Sequence, residues 1–153
     1  MKYWLMKNEP SDFSIDDLAT VKTEPWDGIR NYQARNFMRD DMSIGDKAFF
    51  YHSSCKTPAI VGLMEIASEA YADHTAFDPN ERHYDPKSKP DNPTWIRVDV
   101  KFISKLDHPV TLQALRQYPQ LSAMRLLQKG NRLSITPVEK KHWDFICEIV
   151  KER

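Results

Sequence analysis

Trp95-Ile96-Arg97-Val98-Asp99-Val100-Lys101-Phe102-Ile103 alternates without a break, with Arg97, Asp99 and Lys101 on one face. A period of two with one wet face is the signature of a half-buried strand in an antiparallel sheet. Moving downstream, 111–118 and 121–128 carry leucines at helical spacing and read as short helices. Thr136-Pro137-Val138-Glu139 has threonine, proline and glutamate where an N-cap, first and third helical position want them. The helix that follows would turn Val138, His142, Phe145, Ile146 and Ile149 onto the body, with Trp143 in the core.

Upstream, 71–93 is polar and rich in Asp, Pro, His and Lys, a loop long enough to suggest a functional role. Before it, 59–71 reads as a long strand in which Gly62 marks a bulge or a close backbone approach. Lys47-Ala48-Phe49-Phe50-Tyr51-His52 is a strongly apolar strand fed by the turn Ser43-Ile44-Gly45-Asp46. Residues 32–38 fit a short helix with Tyr32, Phe37 and Met38 inward, and Ser14 caps another that starts Ile15-Asp16-Asp17-Leu18. Residues 2–8, with Trp4 in the core, form a first strand stopped at Glu9-Pro10. Strand, helices, several strands and helices in that order predict one α+β domain over 1–153, built on a curved or barrel-like sheet.

Composition narrows the function. Hydrophobic residues make up 41% and charged residues 29% of the 153, the balance of a folded soluble domain. Lys plus Arg equals Asp plus Glu at 22 each, so the chain lacks the basic excess of proteins that coat duplex DNA. A protein that grips one nucleotide and touches few phosphates remains compatible. Two cysteines are too few for a disulfide framework or a zinc pattern, which points to a reduced compartment. No apolar run reaches membrane-spanning length, and a signal peptide's long apolar centre is lacking at the start.

Between Trp26 and Asn36 the chain reads Trp-Asp-Gly-Ile-Arg-Asn-Tyr-Gln-Ala-Arg-Asn, its densest run of recognition chemistry. Aromatic faces stack on planar groups, carboxamides read donor and acceptor edges, and arginine forks hold phosphate or carboxylate. Gly28 allows a turn or a close approach. These are the parts an unpaired nucleobase needs. The same run also reads as a helix start with a solvated face and a buried tryptophan, and both readings stand on the residues alone.

The short signatures Tyr-Trp-Leu-Met-Lys-Asn-Glu-Pro (3–10), the 26–36 run, Phe-Tyr-His-Ser (50–53), Tyr-Asp-Pro-Lys-Ser (84–88), Pro-Thr-Trp (93–95) and Arg-Leu-Ser-Ile-Thr-Pro-Val (132–138) occur in one order. Together they resemble the EVE domain family over essentially the whole chain. The resemblance implies a PUA-like fold, a bent mixed sheet or pseudo-barrel with short helices around it, similar to the YTH readers of methylated adenine. It further implies a non-enzymatic reader of a modified base, chiefly modified cytosine in DNA. The partner is then nucleic acid, without cofactor, metal or membrane. A monomer is expected, cytoplasmic in a bacterium or nuclear in a eukaryote.

On that implication Trp26 walls the pocket, where base stacking is worth roughly 1–3 kcal/mol. Asn31 reads a base edge or caps a helix. Tyr32 offers a second aromatic face. Arg30 and Arg35 meet the backbone or form surface ion pairs. Lys7 and Asn8, at a strand end, and His52 and Ser53, at another, line the mouth; Tyr84 folds over the base or anchors its loop. Trp95 is assigned to the core. A Ser–His catalytic pair from 52 and 53 fails because neighbours on a strand point to opposite faces. A zinc site at His52 and Cys55 lacks further spaced ligands. Two other functions compete: a PUA-like module for structured or modified RNA, and a nucleotide-processing hydrolase. The hydrolase lacks a phosphate-cradling glycine loop and a nucleophile elbow.

Overall fold

The computed structural model describes residues 1–152. In chain order it contains β1 (Tyr3–Asn8), α1 (Ile15–Val21), β2 (Thr23–Trp26), α2 (Tyr32–Asn36), β3 (Lys47–His52), β4 (Ala59–Ile66), β5 (Tyr71–Ala72), β6 (Ile96–Thr111), α3 (Leu112–Leu115), β7 (Ile135–Val138) and α4 (Lys140–Lys151). One sheet runs β2-β6-β4-β3-β1-β7, and β5 pairs with β6. β1 and β3 are parallel and the other ladders antiparallel, so the sheet is mixed. It is open, with β2 and β7 at its two ends.

β1 and β3 are apolar at almost every position because both of their faces are covered. Trp4, Met6, Ala48 and Phe50 enter one core; Leu5, Phe49 and Tyr51 enter the other. The first core lies under α1. Its Ser14 accepts from the Asp17 N–H while the Asp17 carboxylate accepts from the Ser14 N–H, a reciprocal cap that fixes where the helix begins. Ile15 then sits so close to Gly62 that a Cβ there would overlap its side chain, and the ladder slips register beside it. Both roles predicted for Gly62 are therefore present. α4 covers the second core, with Trp143 stacked on Phe49 at 4.0 Å and on Tyr3 at 4.7 Å.

Several expectations need correction. Residues 136–139 do not open a helix: Thr136, Pro137 and Val138 pair with β1, and α4 begins at Lys140. The edge position explains it, since the missing N–H of Pro137 can face away from the ladder there. The strand expected over 59–71 ends at Ile66, with only Tyr71–Ala72 resuming. The alternating strand runs far beyond Ile103, to Thr111. β2 was not foreseen; it is short and interrupted by Pro25, and its ladder with β6 defines it. The helix over 111–118 shrinks to α3, and 121–128 holds only short 3₁₀ turns. Tyr32, expected inward, is 60% exposed.

Candidate nucleic-acid interface

A cavity of about 410 Å³ opens where the ends of β1 and β3 meet the loop after β2. Lys7 and Asn8 reach it from β1, Ser53 and Ser54 from the end of β3, and Arg132 and Ser134 from the approach to β7. The strand ends are laced together: Ser53 N–H donates to the Asn8 carbonyl at 3.0 Å and Lys7 N–H to the Ser134 carbonyl at 2.8 Å. Trp26 borders the cavity although only 3% of it is exposed, its ring edge-on to Phe50 at 5.3 Å. It is set in the core and reaches the cavity only narrowly, in place of the pocket wall expected.

The loop after β2 is held by one carboxylate. Asp73 is fully buried and accepts from Gly28 N–H (2.8 Å), Arg30 Nη1 (3.0 Å), Thr75 N–H (3.0 Å) and Thr75 Oγ1 (2.6 Å). Burial alone would raise this carboxyl; the hydrogen bonds from Thr75, Gly28 and Arg30 outweigh it and its pKa is lowered. Gly28 has φ +76, and a Cβ on it would meet the His83 ring at 2.7 Å, so only glycine lets the two loops close on each other.

Arg30 also lies on the cavity, but its fork is not free for a backbone phosphate. It donates to the His83, Ile29, Asp73 and Thr75 oxygens and rests 5.6 Å from the Trp95 ring. All five of its N–H groups are spent on the loop. Lys7 differs: it is half-buried, faces the Tyr51 ring at 6.0 Å and, among the described residues, pairs with no carboxylate, and burial lowers its pKa. An uncompensated cation on a concave wall is a site for an anion or a carbonyl.

Other predicted residues lie elsewhere. His52 turns away from the cavity: its Nε2 accepts from Ile15 N–H at 3.1 Å, capping α1, and burial lowers its pKa so that the acceptor form is favoured. Alternation along β3 puts His52 and Ser53 apart, as the strand geometry requires. Asn31 caps α2 through Ala34 N–H at 3.0 Å. Tyr32 lies 4.9 Å from the Trp95 ring and carries the Arg35 guanidinium 4.8 Å above its own, while Arg35 also donates to Asn36 and the Thr94 carbonyl. Tyr84 is 41% exposed on the neighbouring loop. None of these five borders the cavity; Tyr32 and Arg35 make an outer aromatic and cationic patch over Trp95, which is buried and donates to Asp85 at 2.7 Å.

Sequence reasoning did not assign Asp27, Arg82, His83 and Arg132, which line the cavity too. Asp27 stood in the quoted run and Arg132 opens the 132–138 signature, each without an assigned role; Arg82 and His83 lie in the long polar loop, where nothing local marks them. Arg82 pairs with Asp12 at 3.0 Å across the mouth.

The molecule is thus a mixed sheet with short helices whose strand ends frame a cavity lined by charges of both signs beside a tryptophan. The chain belongs to the EVE domain family, whose profile spans residues 2–149. Thymocyte nuclear protein 1 of Homo sapiens is 46% identical over 166 residues, covering 96% of this chain and 73% of that protein. The human THYN1 protein, solved in complex with 5-methylcytosine-containing DNA, superposes with TM-score 0.94 at 44% identity, covering 100% of this chain and 99% of that one. A Pseudomonas syringae protein superposes with TM-score 0.93 at 44% identity, covering 97% and 99%. Among the described residues no helix is long and apolar enough to cross a membrane.

Proposed function

We propose that the protein reads modified cytosine in DNA, taking one base into the cavity beside Trp26 without reacting with it. The observation that carries this is whole-length likeness, at TM-score 0.94, to a human protein solved with 5-methylcytosine-containing DNA. The site's chemistry agrees. A base must leave its stack to be enclosed, at an unstacking cost of a few kcal/mol. The narrow margin of Trp26, the carboxamide of Asn8, the hydroxyl of Ser53 and the ammonium of Lys7 supply apolar contact and polar edges in one recess. Lys7, Arg82 and Arg132 present cations at a place where the chain as a whole carries none in excess. Phosphate affinity away from a modified base then stays low, and the recess decides. Tyr32, Arg35 and Tyr84 are assigned to nucleotides flanking the enclosed one. Turnover has no nucleophile to start from at Ser53, because His52 is committed to α1.

Titrating duplexes that differ at a single cytosine tests this. The methylated duplex should bind at least about tenfold more tightly than the unmodified one, about 1.4 kcal/mol. Lys7→Ala should weaken all duplexes and lower the salt slope by about 1. Equal affinities across the set, no binding, or preference for a structured RNA would overturn the reading.

A further inference from the structure

A pocket that recognises cytosine by its 5-methyl group faces a chemical problem. Thymine carries the same methyl on the same ring carbon, and DNA is full of it. The two bases part only at the edge: cytosine offers an amino donor at position 4 where thymine offers a carbonyl acceptor. A reader of methylated cytosine therefore needs a fixed acceptor for that amino group, and one that repels a carbonyl.

We infer that Asp27 is this acceptor, and that it is the residue excluding thymine from the cavity beside Trp26; the inference rests on the reading proposed above. Three carboxylates border the cavity, those of Glu9, Asp12 and Asp27. Asp12 is taken up by Arg82, which donates to both of its oxygens at the exposed rim. Glu9 and Asp27 are both exposed, and of the two only Asp27 is held by a cation among the described residues. Asp27 follows Trp26 in the chain and borders the same cavity. It is held by Arg97 at 3.6 Å, an ion pair longer than a hydrogen bond, and among the described residues no hydrogen bond reaches it. Oδ2 faces Arg97 and Oδ1 stays available to a donor, while the charge is held in place. Arg97 in turn is fixed over the Tyr71 ring at 5.0 Å and is largely buried, so it acts as a positioning residue. Burial, and then the neighbouring Asp73, push the Asp27 carboxyl upward, while the Arg97 guanidinium opposes them and favours the ionised acceptor. Carboxylate acceptance from the cytosine amino group is an established mode of base readout.

The test compares three duplexes identical except for one pair: 5-methylcytosine with guanine, cytosine with guanine, and thymine with adenine. Wild type should rank the methylated duplex above both others. Asp27→Asn puts an amide donor where the acceptor stood. It should collapse the methylcytosine-to-thymine ratio from about tenfold or more to within about threefold, while the methylcytosine-to-cytosine ratio holds. Asp27→Ser should do the same, and thermal melting confirms that each variant is folded. An unchanged methylcytosine-to-thymine ratio in both variants, or wild type unable to reject thymine, overturns the assignment of Asp27 alone. Wild type unable to tell methylcytosine from cytosine overturns the underlying reading, and this inference with it.

Discussion

The face under α4 and the cavity at the strand ends are held together in opposite ways. Under α4, Trp143, Phe49, Ile146 and Ile149 are buried among apolar neighbours, and stability there comes from area and ring stacking spread over many contacts. Around the cavity a single carboxylate, Asp73, joins the segment after β2 to the loop after β5 through two directional bonds, from Gly28 and Arg30, and is braced by two more from Thr75 in its own loop. Spread apolar contact tolerates adjustment; a buried polar hub fails as a unit, because each released partner is left unsatisfied. The body is therefore robust and unspecific, and the site is specific and fragile.

The contrast is most sharply broken at Trp143. Trp143→Ala should cost about 4 kcal/mol of stability by opening a cavity under α4. Thermal denaturation should show the loss, and at low temperature the folded protein should bind methylated DNA as before. Asp73→Ala should cost less, about 3 kcal/mol, by stranding the Arg30 charge, yet abolish binding because the loop carrying Asp27 and Gly28 is released. Its pH dependence has a definite sign. The folded Asp73 pKa is lowered, so its contribution is complete above the ordinary aspartate value, about 3.9, and disappears as pH falls through the lowered folded value. Acid titration of wild type against Asp73→Ala should show the two stabilities converging below that window; parallel curves would remove Asp73 as the hub. The smallest effect belongs to Arg82→Ala, which breaks an exposed pair with Asp12. Melting should not move, and the salt slope of DNA binding should fall by about 1.

Much of the architecture was legible locally. The alternation around Val98, the two-faced apolar pattern of β1 and β3, and the Ser14 cap each declare themselves within one element. The misreading at Thr136 shows the limit. Its residues suit a helix start by local preference, and only the partner strand β1 overrides that preference. The site divides the same way. Lys7, Asn8, Trp26, Arg30 and Ser53 were singled out and meet at the cavity, whereas Asn31, Tyr32, Arg35 and Tyr84 fall outside it and His52 serves α1.

Local chemistry along the chain set which segments could be strands or helices, where glycine was needed, and that the run from Trp26 to Asn36 concentrates aromatic, amide and guanidinium groups. Tertiary structure decided which of those recognition groups face a common recess, and gave Asp27, Arg82, His83 and Arg132 their place there. Periodicity and capping act over a few residues and are written in neighbouring letters. Convergence on a cavity depends on strand order and loop closure, which join residues as far apart as 7 and 132.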